Sequence, residues 1–326
     1  MVSLIYATSM DITLIRTFLE VAATGSFMHS ADKLFVTQSA VSLRVKRLED
    51  QLGHALFSRS KAGAELTTEG KAFEGYALSL VKLWEEARQQ IGVPEGFDRT
   101  IAVGGQESLW PRLGFRWIDT MQARMPSLAV RAEMGPSDRL TRFLIEGVVQ
   151  AALMHTPQLR PGLHAEPLLE EDLILVAGCA GASMTEVAER YVMIDWGPEF
   201  VQAHAVGLPN LVSGKTLALG SIAVPFVAHR GLAAYMPARS AMPFLESGEL
   251  HLVADAPVFP YPAWVVWHED LDTDIRAVAK AALDEVVATL DAAQEGVIEE
   301  LAEISEEDVA VLGEREIPSN SINEAS

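Results

Sequence analysis

Between Thr37 and Leu52 the chain reads T-Q-S-A-V-S-L-R-V-K-R-L-E-D-Q-L, and its polar residues are of the types that read DNA. Gln38, Ser39 and Ser42 carry short amide and hydroxyl groups that hydrogen-bond base edges. Lys46 and Arg47, one to two turns later, supply charge for phosphates. On a helix these residues gather around one arc with Leu43, whose apolar side chain would suit a thymine methyl. The spacing predicts such a helix: Val41, Val45, Leu48 and Leu52 form an apolar stripe, and Thr37 is placed to cap its start. That face is built for a major groove rather than for catalysis. No H-E-x-x-H, paired C-x-x-C, G-x-S-x-G or phosphate-loop pattern occurs, and G-G-Q-E-S at Gly104–Ser108 lacks the third glycine of a phosphate turn. No enzyme, metal site or cofactor is therefore expected.

Ile12, Ile15, Leu19 and Ala22 mark a first helix ending near Gly25. Ser26 is placed to cap a short second helix with Phe27, Ala31 and Leu34 on its buried face. Only Phe35 and Val36 separate it from Thr37, which predicts a helix-turn-helix. The following G-H-A-L-F-S-R-S-K-A-G-A-E-L-T-T-E-G reads as a two-stranded wing with Ala62-Gly63 near its turn, placing Arg59 and Lys61 on backbone phosphates. From Glu69 to Ile91 a single helix is expected. Phe73, Tyr76, Leu80, Leu83 and Ala87 alternate by three and four along it, the seam of a self-pairing coiled coil, and G-V-P-E-G then stops it.

A chain of 326 residues needs two or three domains, and 49% apolar content describes a foldable protein. The net charge of −20 looks hostile to nucleic acid. Its distribution is not, because five bases face two acids between Val36 and Lys61, and the acids crowd the C-terminus, where Arg315 is the lone base after Asp291. No apolar run reaches membrane-spanning length and the first residues lack a basic signal region, so no membrane partner is expected. The single cysteine, Cys179, excludes an intrachain disulfide and fits a cytoplasmic location.

The run from Met10 to Ser60, continuing through L-T-T-E-G, resembles the winged helix-turn-helix of LysR-type transcriptional regulators over about sixty residues without a gap. The resemblance is carried by the G-S-F turn, A-V-S on the recognition helix, L-E…L-G…L-F-x-R at its exit and L-T-x-x-G before the linker. It implies a winged helix-turn-helix over residues 10–68, preceded by an extension over 1–9 and followed by a dimerisation helix over 69–92. It also implies double-stranded promoter DNA as partner, dimers associating into a tetramer, bending of the DNA and contact with RNA polymerase. Leu43 departs from the polar or basic residue common in that family.

Beyond Gly96, strands and helices alternate, predicting an α/β fold with largely parallel sheets. The pattern resembles the family's effector domain, two α/β lobes built like a periplasmic binding protein. P-L-L-E-E-D-L-I-L-V at Pro167–Val176 and V-A-H-R-G-L-A-A-Y-M-P at Val227–Pro237 carry that likeness. It implies a first lobe over 98–165 and 268–290 and a second over 166–267. Gln150 stands where members commonly carry Asp. Ligands in open α/β sheets settle beyond strand ends, which nominates Gln106, Glu107 and Ser108, Ser137 and Asp138, and Ser221 as lining an effector cleft. Helix capping is the competing role for the three serines. His155 could bind the effector or be structural, and Trp196 and Phe200 could wall the pocket or pack in the core. The effector is an unidentified small molecule, and Glu107 and Asp138 would repel a dicarboxylate. The acidic tail, 291–326, is expected to be a solvated appendage, with Val297, Leu301 and Ile304 able to prolong the last helix. Two alternatives stand beside the effector-controlled regulator: an effector-independent repressor or architectural DNA-binding protein, and an α/β enzyme with a DNA-binding head.

Overall fold

The computed structural model describes residues 11–60, 63–305 and 309–313. The described residues up to Val93, with Ile145–Val148, form one compact unit, and the other described residues from Pro94 form a second.

In the first unit, α1 (Ile12–Thr24) begins where Asp11 accepts the Thr13 N–H at 2.8 Å and stops at Gly25 in the left-handed region, φ +63°. Ser26 caps α2 (Phe27–Lys33), and Thr37 caps α3 (Gln38–Leu52) by accepting from the Ala40 N–H. The wing is β1 (Phe57–Ser60) paired antiparallel with β2 (Gly63–Leu66). Ala64 donates to the Gly25 carbonyl at 2.8 Å, tying the wing to the first turn. Gly63 permits that approach, since a Cβ there would strike the same carbonyl oxygen. α4 (Thr68–Ile91) follows, capped by Thr67. The core joins Ile15, Phe18, Val41, Val45, Leu48 and Leu56 to Ala77 and Val81 of α4. One expected placement changes. Leu52 is exposed, so the buried stripe of α3 ends at Leu48. Phe73, expected along the coiled-coil seam, turns its half-buried ring edge-on to Phe18 at 5.2 Å.

The second unit opens with β3 (Arg99–Gly105), a tight turn through Glu107–Gly114, then α5 (Phe115–Arg124), β4 (Leu128–Met134), α6 (Ser137–Ile145), β5 (Ala151–Met154) and β6 (Leu163–Leu169). The second lobe holds β7 (Asp172–Ala177), α7 (Met184–Arg190), β8 (Met193–Ile194), α8 (Pro198–Gly207), β9 (Thr216–Leu217), α9 (Ala223–His229), β10 (Ala233–Pro237), α10 (Ala238–Glu246), β11 (His251–Leu252) and β12 (Phe259–Pro260). The chain then returns through β13 (Ala263–His268) to α11 (Thr273–Ala288) and α12 (Asp291–Ile304).

The first lobe is a five-stranded sheet ordered β4-β3-β5-β13-β6, with Trp117 of α5 donating to the Ala279 carbonyl of α11 across its core. β3 runs parallel to β4 and β5, but β13 is antiparallel to both β5 and β6. In the second lobe β7 pairs antiparallel with β10, β11 and β12. The expectation of largely parallel sheets is therefore corrected. The chain crosses between lobes twice and comes home against its outgoing strands, and fully buried strands read as the same apolar runs in either direction. The first lobe's sheet keeps the chain to Leu169 and regains it at Ala263, a few residues beyond the expected limits at 166 and 267.

The acidic tail also differs from expectation. α12 is a helix separate from α11, and its Val297 and Leu301 are buried in the second lobe's core. Farther on, Val258 donates to the Ala310 carbonyl and accepts from the Leu312 N–H, both at 2.8 Å. An i, i+4 apolar pair inside an acidic helix gives it a face to bury while the carboxylates stay in water. Among the described residues, no helix is long and apolar enough to cross a membrane.

Candidate functional site

On α3, Val41, Val45 and Leu48 face the core, and the opposite side carries Gln38, Ser39, Leu43, Lys46 and Arg47, all exposed, with Ser42 half-buried at its edge. The valine side fixes the helix and leaves the polar side to solvent. The Thr37 and Ser39 hydroxyls lie 3.0 Å apart at its start. Lys46 pairs with Asp50 one turn on at 2.8 Å, which raises its pKa. Arg44 and Arg47 help hold the Asp11 carboxyl below its usual range, after the hydrogen bonds from Thr13. Arg59 falls within β1, and Lys61 lies outside the described residues. Phe35, in the turn before Thr37, is a residue that spacing did not single out: its side chain is 95% exposed and its φ is +54°. Glycine or asparagine would have signalled such a turn; phenylalanine does not.

Along α4, Tyr76 and Leu83 are more than three-fifths exposed and Ala87 is exposed, while Leu80 is half-buried against the core. Trp84, also absent from the expected seam, is half-exposed beside Leu83. The opposite face is held by Glu85, buried and paired with both Arg16 of α1 and Arg88.

In the second unit the turn after β3 is locked by Trp110, whose indole donates to the Gly105 carbonyl at 3.1 Å. Its ring lies where Cβ atoms on Gly105 and Gly114 would sit, so these glycines serve packing. The turn gathers most of the nominated residues into one cluster. Gln106 accepts from the His155 N–H at 2.6 Å and from the Ser137 hydroxyl at 3.1 Å. The Ser108 hydroxyl lies 3.0 Å from His155 Nε2. Because His155 Nδ1 faces the Pro262 and Tyr261 carbonyls, at 3.0 and 3.2 Å, Nδ1 carries the proton and Ser108 donates to Nε2. Burial pushes the His155 pKa down to about 4, so the ring is neutral near pH 7. Tyr261 stacks on this ring at 3.6 Å and meets Trp196 of the second lobe edge-on at 5.8 Å. Glu107 reaches the second lobe, where its carboxylate accepts the Ser221 N–H at 2.8 Å and the Ser221 hydroxyl at 2.5 Å.

All three serine hydroxyls thus donate to side chains of this cluster. Asp138 stands exposed in the first turn of α6. Trp196 and Phe200 are buried in the second lobe's core, the packing role of the two expected for them, and the Trp196 indole donates to the Tyr235 carbonyl at 2.8 Å. Tyr261, buried in the same core, brings its ring onto His155, and nothing in its Y-P-A surroundings announced it. Gln150 resolves its own oddity, since its side chain accepts the Ala102 N–H at 2.7 Å, work an aspartate could also do. At the first crossing, burial pushes the Glu171 carboxyl up to about 7 in spite of Arg239 beside it. Among the described residues, no group of three or more His, Cys, Asp or Glu is placed to hold a metal ion.

Comparison with known proteins agrees with this anatomy. Residues 12–71 match the bacterial regulatory helix-turn-helix protein, lysR family, and residues 94–182 match the LysR substrate binding domain. The HTH-type transcriptional regulator HdfR of Salmonella dublin is 29% identical over 268 residues, 81% of this chain and 94% of its own. HdfR of Salmonella typhi is likewise 29% identical over the same shares. Among solved structures, ArgP of Mycobacterium tuberculosis superposes with a TM-score of 0.50 at 22% identity, covering 86% of this chain and 99% of its own. A full-length OxyR variant of Pseudomonas aeruginosa reaches 0.50 at 19% identity, covering 88% and 97%. With a helix-turn-helix head matching one family domain and an α/β unit matching the other, the chain belongs to the LysR-type transcriptional regulators, DNA-binding proteins rather than enzymes.

Proposed function

We propose that α3 reads promoter DNA through Gln38, Ser39, Ser42 and Leu43, with Lys46 at the groove's margin and Arg47, Arg59 and Lys61 on phosphates. Thr37 orders the first turn of that helix. Two copies of α4 pair through Tyr76, Leu80, Leu83, Trp84 and Ala87 to set the spacing of two heads, and dimers join into a tetramer that bends the site. A small-molecule effector settles by the cluster of Gln106, Ser108, Ser137, His155 and Ser221 between the lobes, with Asp138 at its rim. It shifts lobe geometry by preferring one arrangement, and with it access for RNA polymerase in the cytoplasm. The observation that carries this reading is the division of α3 into a buried valine face and an exposed polar face.

The test is equilibrium binding to fragments of the native genome, followed by single substitutions. Ser42→Ala should relax preference at one position per half-site, by about 1–3 kcal/mol. Arg47→Ala should weaken all sequences alike and lower the salt slope by roughly one. Equal affinity for every fragment, untouched by either change, would leave the architectural alternative standing.

A further inference from the structure

We propose that Glu107 is a resident ligand of the inter-lobe cleft: its carboxylate bridges the lobes by taking both donors of Ser221, and so bars small carboxylates from that position. This rests on the reading of the cleft as the effector site and adds the effector's chemical class, which becomes an uncharged or cationic molecule.

Glu107 leaves the end of β3 in the first lobe, and Ser221 stands after β9 in the second, 114 residues away in sequence. One carboxylate oxygen takes the Ser221 backbone N–H and the other its hydroxyl. This two-pronged, charge-assisted arrangement is the one a bound carboxylate would make. The neighbouring backbone is fitted to it. Gly220 has φ +52°, and a Cβ at that position would run into the Glu107 carboxylate. On the first lobe the Glu107 side chain springs from the turn that Trp110 locks, so its approach is fixed from behind. Among the described residues no Lys or Arg pairs with Glu107, and the bonds to Ser221 are its stabilising contacts. After burial, the carboxylates of Glu171, Glu107 and Asp195 push the Tyr261 hydroxyl pKa upward. A free carboxylate would have to break two charge-assisted bonds and then sit beside the displaced one.

Chemical rescue in the full-length protein tests this, with acetate as the probe and sodium chloride matched for ionic strength. Hydrogen exchange at the Ser221 amide and thermal unfolding are followed for the wild type, Glu107→Ala, Glu107→Gln and Ser221→Ala. In the wild type the amide should be protected and indifferent to acetate. In Glu107→Ala its exchange should rise by about tenfold or more, and acetate should restore both protection and melting temperature. Glu107→Gln keeps the shape and fills the place, so its amide should exchange at an intermediate rate without responding to acetate. This variant covers the case in which the alanine change unfolds the domain. Ser221→Ala should lower the melting temperature, and acetate should not restore it. Equal protection in the wild type and both Glu107 variants would overturn the proposal, as would acetate stabilising the wild type as much as Glu107→Ala. These readouts need neither DNA nor effector, so failure of the proposed effector role leaves them unchanged and is told apart.

Discussion

Burial of His155 gives the second unit a stability that acid removes. His155 is buried with its folded pKa near 4, against an ordinary value of 6.5, so between those values the unfolded chain binds the proton and the folded chain refuses it. Stability from this site is therefore fully present above pH 6.5 and falls as pH drops toward 4. Glu171 works in the opposite sense: its folded value near 7 lies above its ordinary 4.5, so its neutral form favours the fold as pH falls through that interval. Replacing His155 by Gln removes the first effect alone. Urea unfolding should then show the variant gaining on the wild type by about 2–3 kcal/mol between pH 7 and pH 4.5, the size of the His155 shift over that span. A constant difference across the interval would mean that His155 titrates normally. At pH 7 the variant should be the weaker of the two, because the Ser108 hydroxyl and the Pro262 carbonyl both lose a partner with fitted geometry.

Elements were easier to foresee than the contacts they make. Ser26 and Thr37 announced the starts of α2 and α3 and Gly25 the end of α1, and each does that work in the structure; Asp11, which caps α1, and Gly53, which closes α3, were not singled out. β6 was missed. Pro167 sits inside it, which argues against a strand anywhere but on an edge, and β6 is the edge strand of its sheet. Seams were harder, because spacing marks a stripe but not the side from which it is covered. Phe73 fits the coiled-coil alternation and nonetheless turns to Phe18, whereas Trp84 breaks the alternation and remains exposed. Exposure therefore favours Tyr76, Leu83 and Trp84 for the proposed self-pairing face. Leu83→Glu should weaken self-association by about tenfold or more in sedimentation equilibrium, for the loss of one buried leucine per subunit and the addition of a charge. The melting of the head should move by less than about 0.5 kcal/mol, as expected for an exposed position. A head that melts early, with association unchanged, would place Leu83 in the core instead.

At the scale of the molecule, the division of labour runs through where charge is kept. A chain of net charge −20 can bind a polyanion because its acids are concentrated away from α3. The largest concentration follows Asp291, and composition alone makes that stretch look dispensable. Its helix says otherwise, because Val297 and Leu301 reach the second lobe's core while Ile304, three residues on, stays 44% exposed. α12 thus seals the lobe that carries Ser221, and the lobe's fold depends on residues lying past the last strand of either sheet. Leu301→Ala should cost about 2–5 kcal/mol, the range for emptying a buried leucine site, and Ile304→Ala less than about 1 kcal/mol. Calorimetry of the full-length protein distinguishes the two, and the loss should fall in the transition of the effector unit while that of the head stays in place. Equal and small effects from both changes would return the helix to the role its composition suggested, a solvated acidic appendage with no part in the core.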